Sequence, residues 1–357
     1  MVFSKEKKRL LVAGVVIGAV SFALVLLGNP RNMGFCIACF VRDIAGGVGL
    51  QRAEVVQYVR PEIIGLVLGS FIVALMKKEF SPRGGSSPML RFILGFFVMV
   101  GALMFLGCPF RMIIRLAGGD LNALVGLVGF IAGIWGGVFF LNRGFSLKRN
   151  YQLPMLEGVA LPAINLLLLV ILVFVPSLLI FSVSGPGAMH APIWASLIAG
   201  LVVGALAQRT RLCMVGGIRD TILFRDWTLL TGFVSIFLTI LVLNLATGAF
   251  QFGFANQPVA HTDGLWNFIG MLVVGFGSVL LGGCPLRQLV LAGEGNADSA
   301  ITVLGLLVGG AFAHNFKLAS SAAGPTLYGQ VATILGLAVM VTVAVCNTKS
   351  ETGLSGK

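Results

Sequence analysis

Long apolar runs separated by short polar segments dominate this chain. Ten runs approach or reach the roughly 17–25 residues that a helix needs to cross the hydrocarbon core of a bilayer. They lie near residues 10–28, 61–76, 91–107, 121–141, 155–181, 192–207, 229–249, 264–282, 300–316 and 325–346. Four further segments are too short and too polar to cross alone: 31–50, 108–118, 212–224 and 284–294. The pattern predicts an all-α polytopic membrane protein with about ten transmembrane helices and four short re-entrant or half helices.

The four short segments carry two cysteine motifs, and each motif occurs twice in the chain. Gly107-Cys108-Pro109-Phe110-Arg111 returns as Gly283-Cys284-Pro285-Leu286-Arg287, and the segment 35–43 returns as 212–220. The two cysteines of a copy are 72 residues apart in the first copy, at Cys36 and Cys108, and 71 apart in the second, at Cys213 and Cys284. An internal duplication therefore carries four matched cysteines. Cys39 aligns with Gly216, and we interpret it as a spare neighbour or as a C-x-x-C partner of Cys36. Cys346, near the end of the last span, is interpreted as a packing residue.

The distribution of Lys and Arg predicts how the chain is oriented. With the N-terminus inside, 18 of the 25 basic residues fall on the inner side, which places both termini in the cytoplasm. The basic start leads into an apolar run without a cleavage site, which is typical of a retained first span. The first repeat is then 1–150, a linking span occupies 151–191, and the second repeat with the last span is 192–357.

The second repeat is displaced from the first by five spans, an odd number, so the two repeats are predicted to be inverted relative to one another. The cysteines of the first copy would open from the outer face and those of the second from the inner face. Inverted repeats with broken helices are common in secondary transporters, which bind substrate near the midplane.

The composition is typical of a membrane protein and argues against several other classes of protein. Only 11% of the 357 residues are charged, against about 25% in soluble domains. The net charge of +12 lies mostly in loops between apolar runs, which favours the positive-inside bias over nucleic-acid binding. The three histidines lie at no ligand spacing to a cysteine, which argues against zinc. Disulfide frameworks belong to small secreted chains. We expect no metal, no cofactor and no catalytic residue.

The residues of each Gly-Cys-Pro-x-Arg motif predict a helix start that favours an anion. The glycine lets the backbone bend, and the proline suits the first position of a helix. The cysteine is then predicted at the N-cap, where free N–H groups and the positive helix end favour a thiolate and an anion. The arginine follows one turn later on the same side. The residues are Gly107, Cys108, Pro109, Arg111, Gly283, Cys284, Pro285 and Arg287.

Charged residues near the motifs allow two interpretations. Arg42-Asp43 and Arg219-Asp220 are interpreted as ion pairs that fix the short helices, with attraction of an anionic substrate as the alternative. Other loop arginines could draw an anion to each mouth or act as solvated anchors: Arg31, Arg52 and Arg60 outside, Arg209 and Arg211 inside. No Asp or Glu lies in the middle of a span, where carriers driven by protons or sodium usually place one.

These motifs resemble the YeeE/YedE family of membrane proteins, which move sulfur-containing anions. The family's Cys, Gly-Gly, Arg-Asp pattern matches Cys213-Met214-Val215-Gly216-Gly217-Ile218-Arg219-Asp220, and its Gly-Gly-Cys pattern matches Gly282-Gly283-Cys284. The first copy departs from it by carrying Cys39-Phe40 where the glycine pair would be. Proline after both cysteines, and the length, are more similar to the YedE branch associated with selenium metabolism.

The resemblance implies an hourglass-shaped protein that binds thiosulfate at an outer concavity and passes it inward along cysteines by S–H···S and S–H···O contacts. Cys36, Cys108 and Cys284 match positions used in this way, and Cys213 joins them by internal symmetry. It also implies a small TusA-like sulfur-carrier protein as a possible cytoplasmic partner. In the selenium branch the cargo would be a selenium species.

The sequence therefore predicts an uptake transporter of the bacterial inner membrane for a small sulfur- or selenium-containing anion. One alternative is a membrane thiol oxidoreductase that cycles Cys36 and Cys39 and passes electrons to a quinone. Another is a non-transporting membrane subunit in selenoprotein maturation.

Overall fold

The computed structural model describes residues 4–348, and helices account for most of this part of the chain. In the first half they are α1 (Lys5–Leu26), α2 (Ile37–Gly47), α3 (Pro61–Met76), α4 (Pro88–Phe105), α5 (Pro109–Ala117) and α6 (Leu121–Asn142). The connecting part holds α7 (Met155–Phe174) and the single turn α8 (Gly185–Ala188). The second half holds α9 (Ile193–Thr210), α10 (Met214–Phe224), α11 (Thr228–Ala246), α12 (Gly264–Leu280), α13 (Pro285–Gly293) and α14 (Ala297–Asn315), and α15 (Leu327–Cys346) follows.

The all-α membrane architecture predicted from the apolar runs is confirmed. Within residues 4–348, nine helical segments are long and apolar enough to cross a membrane, with mean hydropathy between 1.4 and 2.4. The remaining predicted span, 61–76, is α3, which has 16 residues and is shorter than the roughly 20 that a span usually needs. Large apolar side chains on the outward faces are exposed, among them Trp135 at 70% and Val12 at 60%. These faces suit contact with lipid.

The four predicted short segments are also helical. They form α2 and α10, of 11 residues each, and α5 and α13, of 9 residues each. Both halves thus repeat one order of elements: long, short, long, long, short, long. The only strands in the described part are β1 (Arg83–Gly84) and β2 (Tyr151–Gln152), which pair antiparallel.

The helices of the two halves pack across one another in matching pairs. Helix α1 packs on α11 as α9 packs on α3, and α6 packs on α12 as α14 packs on α4. Helix α4 also packs on α12, its counterpart in the other half. Small residues allow these close approaches: a Cβ on Gly200 of α9 would lie 2.9 Å from the Cα of Gly65 in α3. This interlocked packing encloses α2, α5 and α13, and it buries the first half of α10.

Candidate functional site

The starts of α2 and α5 come together around two buried thiols. Cys36 is the N-cap of α2, and its Sγ accepts a hydrogen bond from the backbone N–H of Cys39 at 3.3 Å. Cys108 is the N-cap of α5. Its thiol lies close to the Cys36 thiol and to the backbone N–H groups of Ala38 and Arg111, and it makes no side-chain capping hydrogen bond. We call this group, with Cys39, the first thiol site.

The starts of α10 and α13 repeat the arrangement. Cys213 is the N-cap of α10 and accepts from the backbone N–H of Gly216 at 3.3 Å. Cys284 is the N-cap of α13, and its Sγ lies 4.0 Å from that of Cys213. The backbone N–H groups of Met214 and Arg287 lie close to the Cys284 thiol, which makes no side-chain capping hydrogen bond. We call this group the second thiol site.

Each thiol site therefore combines two helix N-termini with the sulfur atoms of their N-cap cysteines, and the first site also contains the Cys39 sulfur. A helix N-terminus carries roughly half a positive charge and free N–H donors, which stabilise a nearby anion. The four cysteines are between 0% and 6% exposed, so little water screens that field. The predicted N-cap positions of Cys108 and Cys284 are confirmed. The N-cap positions of Cys36 and Cys213 were not predicted, because no proline marks the start of α2 or α10.

Cys39 is a full member of the first thiol site. Its Sγ lies 2.7 Å from that of Cys36 and 3.3 Å from Nη1 of Arg111. Of the two interpretations of Cys39, these contacts favour the C-x-x-C partner of Cys36 over the spare neighbour. Cys346, in contrast, is exposed at the end of α15, so its interpretation as a packing residue is wrong.

Arg111 is fully buried beside the first thiol site. Its guanidinium donates to the backbone oxygens of Leu106, Asn32 and Val259, the last two at 2.9 Å, as well as to the Cys39 thiol. Three backbone segments are thereby tied to the start of α5. The motif predicted a positive charge near the cysteines. The Arg111 guanidinium supplies it at the first thiol site, where it contacts Cys39.

Arg287 occupies the equivalent place in the second copy and has a different partner. Its Nη1 donates to Oε1 of Glu294 at 3.0 Å, and both side chains are partly exposed, at 13% and 12%. Since Glu294 compensates this charge, the second thiol site is less positive than the first. The duplicated motif thus places its two arginines against different partners.

The glycines of the motif are needed mainly because there is no room for a side chain at their positions. A Cβ on Gly107 would lie 2.7 Å from Cδ of Arg111, because the arginine folds back over the turn. The left-handed residue that bends the chain is the one before it, Leu106 in the first copy, with φ 62°, and Gly282 in the second, with φ 80°. The predicted bend at Gly107 is therefore displaced by one residue.

The two Arg-Asp pairs form as predicted, at very different depths. Arg42 donates to Oδ1 of Asp43 at 2.7 Å, and Arg60 donates to Oδ2 of Asp43 at 2.8 Å, with all three side chains at most 4% exposed. Arg219 and Asp220 pair at 2.8 Å with 29% and 19% exposure. The interpretation of Arg60 as a residue at the outer mouth is wrong. It is an internal partner of the short helix α2.

Of the carboxylates that are buried without having been predicted there, Glu62 is the one that lacks a cationic partner among the described residues. Glu62, the second residue of α3, is 0% exposed and belongs to no ion pair within residues 4–348. Its Oε1 accepts from Asn29 at 2.9 Å and from Ser196 at 3.0 Å. The sequence placed it correctly at a span end but gave no sign of its burial, which the packing of α3 on α9 causes.

The sequence of this chain is similar to a protein family and to two named proteins. A family described as Sulphur transport matches residues 2–135 and 209–349, which is more than half of the chain and includes all four motif cysteines. The thiosulfate transporter TsuA of Spirochaeta thermophila is 33% identical over 103 residues, covering 29% of this chain and 31% of that protein. The thiosulfate transporter TsuA of Escherichia coli is 31% identical over 121 residues, covering 34% of each. The chain thus matches about a third of the length of either relative. By the extent of the family match and by its duplicated cysteine motifs, the chain belongs to the YeeE/YedE family of sulphur transport proteins.

Proposed function

We propose that this protein is an uptake transporter of the bacterial inner membrane for a small sulfur- or selenium-containing anion. One observation carries the proposal: two helix N-termini meet at each thiol site, and the N-cap residue of each helix is a cysteine. Thiosulfate is the first cargo to test, because the two matched relatives are named thiosulfate transporters. A selenium species is the second.

The chemistry of the thiol sites suits such a cargo. A thiosulfate ion has hard oxygens, which accept hydrogen bonds from backbone N–H groups, and a polarizable terminal sulfur, which suits contact with thiols. A thiol is also a weak donor, so it can hold an anion without binding it tightly. Weak binding at several places favours passage over trapping. No covalent step or electron transfer is needed.

The order of the two thiol sites along the path follows from the predicted topology. The repeats 1–150 and 192–357, joined through 151–191, would face opposite sides of the membrane. The anion would enter at Cys36 and Cys108, helped by the buried charge of Arg111. It would leave past Cys284 and Cys213 into the cytoplasm. A small TusA-like sulfur carrier would receive it there.

Uptake of radiolabelled thiosulfate by cells that lack other thiosulfate importers tests the substrate. We expect saturable uptake that excess unlabelled thiosulfate abolishes and that sulfate, which has no terminal soft sulfur, leaves nearly unchanged. Competition by selenite would assign a selenium species as cargo. Uptake of both labelled thiosulfate and labelled selenite no greater than that of cells with an empty vector, or equal competition by sulfate and thiosulfate, would reject the proposal.

A second candidate function rests on the close approach of Cys36 and Cys39, whose sulfur atoms lie 2.7 Å apart. A membrane thiol oxidoreductase would cycle this pair between dithiol and disulfide and deliver the electrons to a quinone. Such an enzyme would give Cys213 and Cys284 no role, although the structure brings them together as well.

Thiol trapping separates the two functions. Active protein is denatured in excess N-ethylmaleimide, and the number of modified cysteines is read by mass spectrometry. For a transporter we expect all six cysteines to be alkylated, whether the cells were grown under oxidising or reducing conditions, since all six are free in the structure. A disulfide between Cys36 and Cys39 that appears and disappears with redox conditions would favour the oxidoreductase.

A further inference from the structure

A basic cavity lies at one end of the helix bundle, and none of the thiol-site cysteines lines it. Its volume is about 630 Å³, and it opens between the start of α1 and the ends of α3 and α9. Five cationic side chains line it: Lys5, Lys8, Arg9, Lys77 and Arg209. The bias of Lys and Arg predicts that this end faces the cytoplasm.

Most of this charge is uncompensated within the protein. Arg209 pairs with Glu79 at 2.9 Å, and hydrogen bonds from Gln208 and Arg209 hold the pKa of the Glu79 carboxyl below its usual value. This carboxylate is therefore ionised at neutral pH and cancels the charge of Arg209. The other four cations take part in none of the ion pairs within residues 4–348.

Helix dipoles do not account for the cluster either. Lys77 and Arg209 lie at the ends of α3 and α9, where a cation is favourable. Lys5, Lys8 and Arg9 lie in the first turns of α1, where the helix end is already positive and a cation is unfavourable. An external anion at this place would stabilise all of them.

The rest of the cavity is apolar and continues along the membrane-facing side of α1. Val12, Ala13 and Leu206 form this wall, and Val12 is 60% exposed. The cavity thus joins a cationic end at the membrane surface to an apolar groove that runs toward the hydrocarbon core. A small soluble anion has no apolar part that could lie in this groove.

We propose that this cavity binds an anionic phospholipid of the inner leaflet. The phosphate of the lipid accepts hydrogen bonds from the lysines and Arg9, and one acyl chain lies along Val12 and Leu206. Basic pockets between transmembrane helices on the cytoplasmic side are suited to such head groups. The lipid would fasten the end of α1 to the ends of α3 and α9.

Native mass spectrometry of the full-length protein, mixed with phosphatidylglycerol or phosphatidylcholine in detergent micelles, tests the proposal. We expect the wild type to retain phosphatidylglycerol and not phosphatidylcholine. Lys5→Gln/Lys8→Gln/Arg9→Gln should weaken the apparent affinity for phosphatidylglycerol by about a hundredfold, since each basic residue near an anionic surface contributes roughly fivefold. Leu206→Trp, which fills the apolar wall without changing charge, should lower lipid retention as well.

A control variant removes three basic residues from the same predicted face at another place: Arg143→Gln/Lys148→Gln/Arg149→Gln. All three side chains are exposed and lie outside the cavity, so we expect this variant to retain phosphatidylglycerol like the wild type. Three results would overturn the proposal: equal loss of lipid in the control, equal retention of phosphatidylcholine, or displacement of the lipid by inorganic phosphate at millimolar concentration. The last would indicate a site for a soluble anion.

Discussion

Asp43→Asn is expected to lower the free energy of unfolding by about 3–5 kcal/mol, because it leaves two buried guanidinium groups without a counter-ion. Asp43 accepts from Arg42 on one carboxylate oxygen and from Arg60 on the other. An asparagine keeps the shape but turns an N–H group toward a cation. Arg60 also donates to the backbone oxygens of Met189 and Pro186 at 3.1 and 2.8 Å, so the loss would loosen α2 from the segment around α8.

The second copy supplies a matched control for this prediction. Asp220→Asn removes the equivalent carboxylate from a pair that is partly exposed to solvent. Exposed pairs contribute about 1 kcal/mol or less, and we expect a change of that size. Unfolding of the purified proteins in a titration with sodium dodecyl sulfate, followed by tryptophan fluorescence, measures both. Equal destabilisation by the two substitutions would contradict the role assigned to the buried cluster.

Cys108→Ala and Cys284→Ala are each expected to reduce the initial rate of thiosulfate uptake by about ten- to a hundredfold. Each substitution removes one weak donor and one polarizable contact to the anion at a site that excludes water. A hydrogen bond to a charged group contributes about 1.5–3 kcal/mol, and 1.4 kcal/mol corresponds to a factor of ten. The helix N-termini remain in place in both variants, because Pro109 and Pro285 still begin α5 and α13.

The effect of the two substitutions is not expected to be equal. At the first thiol site Cys36, Cys39 and Arg111 remain to hold the anion after Cys108 is lost. At the second thiol site only Cys213 remains, and Arg287 is compensated by Glu294. Cys284→Ala should therefore be the more severe of the two.

Local chemistry explains why much of this fold was predictable. The sequence shows the length and apolarity of the spans, and proline after cysteine marks the start of α5 and α13. Such features need only the neighbouring residues. The matched spacing of the duplicated cysteines likewise predicted two similar thiol sites, one in each half of the chain.

The unpredicted side-chain contacts depend on which distant segments meet. Arg60 follows a loop in the sequence, and only the packing of the chain after α2 brings it to Asp43. Arg111 and Cys39 lie 72 residues apart, and no local pattern joins them. Gln208 and Arg209 reach Glu79 across the two ends of α3 and α9. The difference between the two copies arises from such contacts, so the duplicated motif alone suggested more symmetry than the protein has.

The most direct test of the central claim, that both thiol sites lie on one path, is the initial rate of labelled thiosulfate uptake by cells that express Cys108→Ala or Cys284→Ala at equal levels. Cys346→Ala is the control, since Cys346 is exposed and belongs to neither site, and it should transport like the wild type. Uptake is predicted to fall at least about tenfold in both test variants. Undiminished uptake in either of them would contradict the claim.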